Sequence, residues 1–168
     1  MISTGGDPPI RVLIVDDSAV ARQAISRSIR ASGDMTVAGL AGNGRIGLEH
    51  IALHEPDVVV LDLEMPEMDG MAFLREVRTS HPDLPVVVFS ALTDAGAAAT
   101  LAALAAGASA FALKPSALRG FAEGSVDTEL IPQIRALAPH RSRGTTTRGT
   151  TTRVATSHTA DTRASRLP

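Results

Sequence analysis

Short β-branched runs alternate with longer amphipathic stretches five times between Ile10 and Leu137. Strands show as short apolar runs and surface helices as a 3.6-residue period, so this alternation predicts βαβ units. The runs are Ile10–Val15, Met35–Ala41, Val58–Leu61, Pro85–Phe89 and Ala110–Leu113. Val12–Val15 and Val58–Leu61 are apolar at every position, as parallel strands covered on both faces should be. Met35–Ala41 is weaker because Gly39 sits in it. Ser18 can cap a first helix, in which Val20, Ala24, Ile25 and Ile29 recur at helical spacing before Gly33 stops it. Further helices are predicted over Arg45–His54 (Ile46, Ile51, Leu53), Gly70–Ser80 (Met71, Phe73, Leu74, Val77), Ala95–Ala106 and Val126–Leu137 (Leu130, Ile131, Ile134).

The expected fold is a doubly wound α/β domain with five parallel strands, five helices and right-handed crossovers. Such a sheet binds ligands outside the carboxyl ends of its strands, where strand order reverses. Periodicity leaves the order open. The flavodoxin-like order 2-1-3-4-5, which sets strands 1 and 3 side by side, is the one expected.

Composition narrows the class. A chain of 168 residues, 44% hydrophobic, has room for one domain with a core and a little more. No apolar run approaches the ~20 residues that span a bilayer. Residues 1–9 are polar and lack the pattern of a signal peptide, so a flexible N-terminus is expected there. The absence of cysteine excludes disulfides and thiolate metal sites, and a cytoplasmic location is expected. Charge divides the chain. Residues 1–139 hold ten Lys/Arg and seventeen Asp/Glu, whereas residues 140–168 hold six Arg and one Asp. That tail repeats Arg-Gly-Thr-Thr-Thr at 143 and 148 and has almost no large apolar residue, so disorder is expected. It lacks interleaved aromatics, and nucleic acid is not an expected partner.

Four residues then stand out. Asp16 and Asp17 follow the first run and Asp62 follows the third. Lys114 is the sole lysine against fifteen arginines, and it precedes Pro115. Carboxylates at neighbouring strand ends converge on one crevice, where they can hold a hard divalent cation such as Mg²⁺. Asp17 and Asp62 are candidate ligands, Asp16 one acting through water, and the backbone carbonyl of Glu64 a fourth. Asp62 can also attack phosphorus and carry an acyl phosphate. Lys114, and Ser90 at the end of the fourth run, can then neutralise or hydrogen-bond the phosphoryl oxygens.

Val15-Asp16-Asp17-Ser18, Leu61-Asp62 through Asp69-Gly70, Phe89-Ser90-Ala91 and Lys114-Pro115 resemble the receiver domain of two-component response regulators. Asp62-x-Glu64-Met65-Pro66 and Val15–Ala19 most resemble the receiver half of the chemotaxis protein-glutamate methylesterase. The resemblance covers about residues 10–138. It implies that Asp62 is the phosphoacceptor, Asp16 and Asp17 are metal-binding acids, and Lys114 salt-bridges the phosphoryl group. It implies a cis Lys114–Pro115 bond and a switch through Ser90 and Phe111, which on residues alone reads as a core aromatic. The implied donor is a histidine kinase of the chemotaxis type. The implied output face, partner unknown, is helix 4, strand 5 and helix 5. The expected organisation is a receiver core at 10–124, a linker-like last helix at 125–139 and the Arg/Thr tail at 140–168. The methylesterase's catalytic domain, with its Gly-x-Ser-x-Gly motif, has no counterpart in this sequence. The expectation is therefore a switch rather than an enzyme: a free-standing receiver, or a regulator cut short with the tail read out of frame.

Two other readings compete. Gly42-Asn43-Gly44-Arg45-Ile46-Gly47 is a literal G-x-G-x-x-G after a strand, with Asp62 twenty residues beyond Gly42, which suits a nucleotide- or flavin-binding protein. That reading leaves Asp16, Asp17, Ser90 and Lys114 unused. A phosphatase with a catalytic aspartate wants a second acid two residues on, where Glu64 stands, but its nucleophile belongs to the first strand. His50 and His54 share a helix without a third ligand, and His81, His140 and His158 show no metal-site spacing.

Overall fold

The computed structural model describes residues 7–91, 94–114 and 125–138. Its strands are β1 (Ile10–Val15), β2 (Met35–Ala41), β3 (Val58–Leu61), β4 (Val86–Ala91) and β5 (Ala110–Lys114). Its helices are α1 (Ala19–Ser32), α2 (Gly44–His54), α3 (Gly70–Ser80), α4 (Asp94–Ala105) and α5 (Ser125–Leu137). All strand pairs are parallel, in the order β2-β1-β3-β4-β5. This is the flavodoxin-like order expected from the sequence. The chain steps outward from β1 to β2 and then returns to β3, which puts the switch point between β1 and β3.

Alternation along the strands builds a core on each side of the sheet. Val12, Ile14, Val58, Val60, Val87 and Phe89 face α1 and α5, through Ile25, Ile29, Leu130 and Ile134. Leu13, Val15, Val59, Leu61, Val86 and Val88 face the other helices, through Ile51, Phe73, Leu74, Val77 and Ala103. Helix starts follow local capping. Ser18 accepts from the Ala21 N–H at 3.2 Å, Asn43 from Ile46 at 2.9 Å and Asp69 from Ala72 at 2.7 Å. Gly33 ends α1 in the left-handed region, at φ 78°. Among the described residues, no helix is long and apolar enough to cross a membrane.

Several expectations need correcting. Val20, Ile46 and Leu53 belong to apolar patterns by spacing, yet they are 65%, 37% and 72% exposed. Their helices turn other residues inward: α1 buries Ala21, Ile25, Ser26 and Ile29, and α2 approaches through Gly44, Gly47 and Ile51. A Cβ on Gly47 would lie 2.8 Å from the Phe73 ring and 3.1 Å from Val15. β4 starts one residue later than predicted and runs two further, because the ladder continues through Ser90–Leu113 and Ala91–Lys114. Ser90 therefore lies inside the strand. Phe111 is not a core residue but 46% exposed. It sits on edge strand β5, where α5 covers the Ala112 side and α4 packs chiefly on β4. The Lys114–Pro115 bond, most of the N-terminal segment and the tail with His140 and His158 lie outside the described residues.

Candidate functional site

Parallel register builds the pocket. Val15 pairs with Leu61, and the Asp62 N–H donates to the Val15 carbonyl at 2.9 Å. Asp16 and Asp62 are thus the next residues on adjacent strands. One carboxylate oxygen from each of Asp16, Asp17 and Asp62 lies within 4.8 Å of the others. Asp16 and Asp62 are buried and Asp17 is exposed at the rim. β4 separates β3 from β5, so only a long side chain on β5 can reach the acids. Lys114 does so, with Nζ 2.8 Å from Asp16 Oδ2 and 2.7 Å from Asp62 Oδ2. Its ammonium also stands 5.9 Å from the centre of the buried Phe89 ring. Ser90 is buried on the intervening strand.

The pocket carries more negative than positive charge. Burial pushes the Asp62 carboxyl above its ordinary pKa, and Asp16 adds to this, outweighing the Lys114 contacts and the Glu64 N–H, which lower it. Burial pulls Lys114 down, but Asp16 and Asp62 more than offset it, so its pKa lies above the ordinary lysine value. Three carboxylates against one ammonium make an oxygen-only donor set short of positive charge. That chemistry fits a hard divalent cation such as Mg²⁺.

The surrounding loops hold the acids in place. The Ser18 N–H donates to Asp16 Oδ1 at 2.8 Å, and Arg22 Nη1 donates to the carbonyls of Asp16 and Asp17 at 2.6 and 3.0 Å. The Glu64 N–H donates to Asp62 Oδ1 at 3.3 Å, which places Glu64 beside the site through its backbone. A Cβ on Gly70 would overlap the Asp62 carbonyl oxygen, so the loop after Asp62 closes tightly only with glycine there. Glu67, in the left-handed region at φ 66°, accepts from Asn43 Nδ2 at 2.8 Å. Sequence reasoning missed Arg22, Asn43, Glu67 and the part played by Gly70. Only the Asp69-Gly70 pair carried a local signal, that of a turn.

The glycine-rich turn does not form a nucleotide cradle. A Cβ on Gly44 would lie 2.7 Å from Met68 Cγ, so the side chain of Met68 occupies the space a pyrophosphate would need. The glycine spacing serves packing of α2 on Met68, Phe73 and Val15. His50 and His54 stack edge to face over Gly39, with ring centres 5.0 Å apart, and His81 Nδ1 contacts Ser80 Oγ at 2.9 Å.

A model of the response regulator receiver domain matches residues 12–123. The chain belongs to that family. Its relatives include a protein-glutamate methylesterase/protein-glutamine glutaminase of Nocardioides, 46% identical over 136 residues, which span 80% of this chain and 37% of the relative. A protein of the same name from Trichodesmium erythraeum is 41% identical, over 80% of this chain and 38% of its own length. The chain therefore spans under two fifths of these relatives. The structure is similar to the response regulator domain of Thermotoga maritima CheB, with a TM-score of 0.67 and 36% identity over 77% of this chain and 96% of that one. It is also similar to the receiver domain of NtrX from Brucella abortus, with a TM-score of 0.62 and 28% identity, covering 75% and 97%. The doubly wound fold with acids at the β1 and β3 ends is thus a receiver domain of the two-component type.

Proposed function

We propose that this receiver accepts a phosphoryl group on Asp62 and signals by changing its surface. The observation that carries the reading is the pairing of buried Asp62 with Lys114 at 2.7 Å beside Asp16 and Asp17. A carboxylate oxygen of Asp62 attacks phosphorus in line, and the bond from phosphorus to the donor's leaving group breaks, its electron pair leaving with that group. Asp16, Asp17, Asp62 and the Glu64 carbonyl would hold Mg²⁺, which when bound neutralises phosphoryl oxygens. Lys114 moves from the free carboxylate to the transferred group, and the Ser90 hydroxyl donates to it. Its inward movement frees space that Phe111, now exposed, can enter.

The donor in this reading is a histidine kinase. The likeness to methylesterase receivers supports a kinase of the chemotaxis type and a cytoplasmic setting. The output partner would meet α4, β5 and α5, where Leu101 and Phe111 are exposed. The activities in the relatives' names belong to proteins this chain spans only in part, and the proposal stops at the switch.

Mg²⁺ with beryllofluoride, an acyl-phosphate mimic, should raise the thermal midpoint in wild type and not in Asp62→Ala. FMN and NAD should leave it unchanged. A shift with either cofactor, or none with beryllofluoride, would contradict the proposal.

A further inference from the structure

The outer flank of α1 carries a second charged feature, of opposite sign to the acidic pocket. Arg22, Gln23, Ser26, Arg27 and Arg30 stand at i, i+1, i+4, i+5 and i+8, so they share one face of α1. With Leu40 of edge strand β2 they line a cleft of about 340 Å³. No acid lines it, although the body of the chain is acidic.

Its cations lack counter-charges. Arg27 and Arg30 form no ion pair among the described residues, whereas Arg135 takes Asp34 in a two-bond contact at 2.7 and 3.1 Å. Arg22 donates through Nη1 alone, to the carbonyls of Asp16 and Asp17. Its Nε and Nη2 donate to no described group. Those two atoms form the fork that binds oxyanions bidentately. Leu40, 42% exposed, adds an apolar wall beside the guanidiniums.

We infer that this cleft binds a phosphate monoester, its oxyanion on Arg22, Arg27 and Arg30 and its organic part on Leu40. Arg22 also links the cleft to the carbonyls behind the acids, and this coupling rests on the metal reading proposed above. An anion on Arg22 offsets a positive charge close to the cation site and keeps the guanidinium anchored. Anion and cation therefore each strengthen the other's binding, by about threefold, the scale of one partly screened charge interaction in a wet setting.

The test uses the full chain with phenyl phosphate as probe, at constant ionic strength against chloride. In Mg²⁺-free buffer, phenyl phosphate should shift the side-chain Nε NMR signals of the three arginines, and inorganic phosphate should do so more weakly. Arg27→Gln/Arg30→Gln, two exposed changes away from the acids, should lose the response and keep its thermal midpoint. Shifts no larger than chloride gives, or an undiminished response in the double variant, overturn the site. Equal responses to both phosphates overturn the role of Leu40 and support a bare-oxyanion cleft. In a second arm, phenyl phosphate should tighten Mg²⁺ binding in wild type and not in the double variant; no tightening overturns the coupling. Failure of wild type to bind Mg²⁺ at all would sink the metal reading and leave the cleft standing on the first arm.

Discussion

Lys114 stands between two buried carboxylates, and each charge there depends on the others. The Asp62 pKa is raised in the fold. Its ionised form therefore costs stability; that cost is absent below the unfolded value and complete above the folded one. Asp62→Asn removes it. In Mg²⁺-free buffer at pH 7 the variant should melt a few degrees above wild type, the scale of ~1 kcal/mol in a domain this size. Saturating Mg²⁺ should narrow or reverse the gap, because it stabilises wild type by mass action. Calorimetry at two Mg²⁺ concentrations reads both, and a lower midpoint for the variant without metal would be the wrong sign. Lys114→Met leaves the carboxylates without their cation. It should destabilise by about 3–5 kcal/mol at pH 7, and by less as pH falls through the carboxylate range. In wild type the lysine's contribution is complete below its ordinary value of 10.5 and lost as pH rises through its raised folded value. Urea titrations across pH separate the two; a loss independent of pH would show that Lys114 acts by packing alone. These residues were legible because acids placed straight after apolar runs stand at strand ends whatever the strand order. Arg22 was not, since it acts through its guanidinium on backbone carbonyls and such a contact leaves no mark on spacing.

At the scale of elements, glycines decide how the helices and loops close on the sheet. Gly70→Ala sets a methyl against the backbone of Asp62 and Leu63, neither of which can yield without moving the pocket. The expected loss is about 3 kcal/mol or more. Gly44→Ala meets the Met68 side chain near its root, at Cγ, Sδ and Cβ, and should cost less than Gly70→Ala, about 1–2 kcal/mol, because a side chain yields more readily than backbone. Urea midpoints of the two variants test the contrast, and equal losses would refute it. The strands were readable as apolar runs, and Ser18 and Gly33 as helix ends. The rotation of α2 was not, because Ile46 and Leu53 follow the helical period while Gly47 makes the close approach to Phe73 and Val15. Phe111 misled on the residue reading alone: an aromatic in a short apolar run reads as core, but in the order 2-1-3-4-5 its strand is an edge, and the ring stands 46% exposed there.

At the scale of the whole molecule, the order β2-β1-β3-β4-β5 brings together residues far apart in the chain. Asp16, Asp62, Ser90 and Lys114 come from four strands that follow one another across the sheet. Periodicity allowed other orders; the shared chemistry of the strand ends favoured this one. The central claim is transfer of a phosphoryl group to Asp62. Intact mass after incubation with acetyl phosphate tests it most directly, in wild type and in Asp62→Asn, each with and without Mg²⁺. The expected result is a gain of one phosphoryl group that requires Mg²⁺ and is absent from the variant. A gain that persists in Asp62→Asn would place the chemistry on another residue. No gain in folded wild type, with acetyl phosphate or with a phosphorylated histidine kinase as donor, would contradict the account.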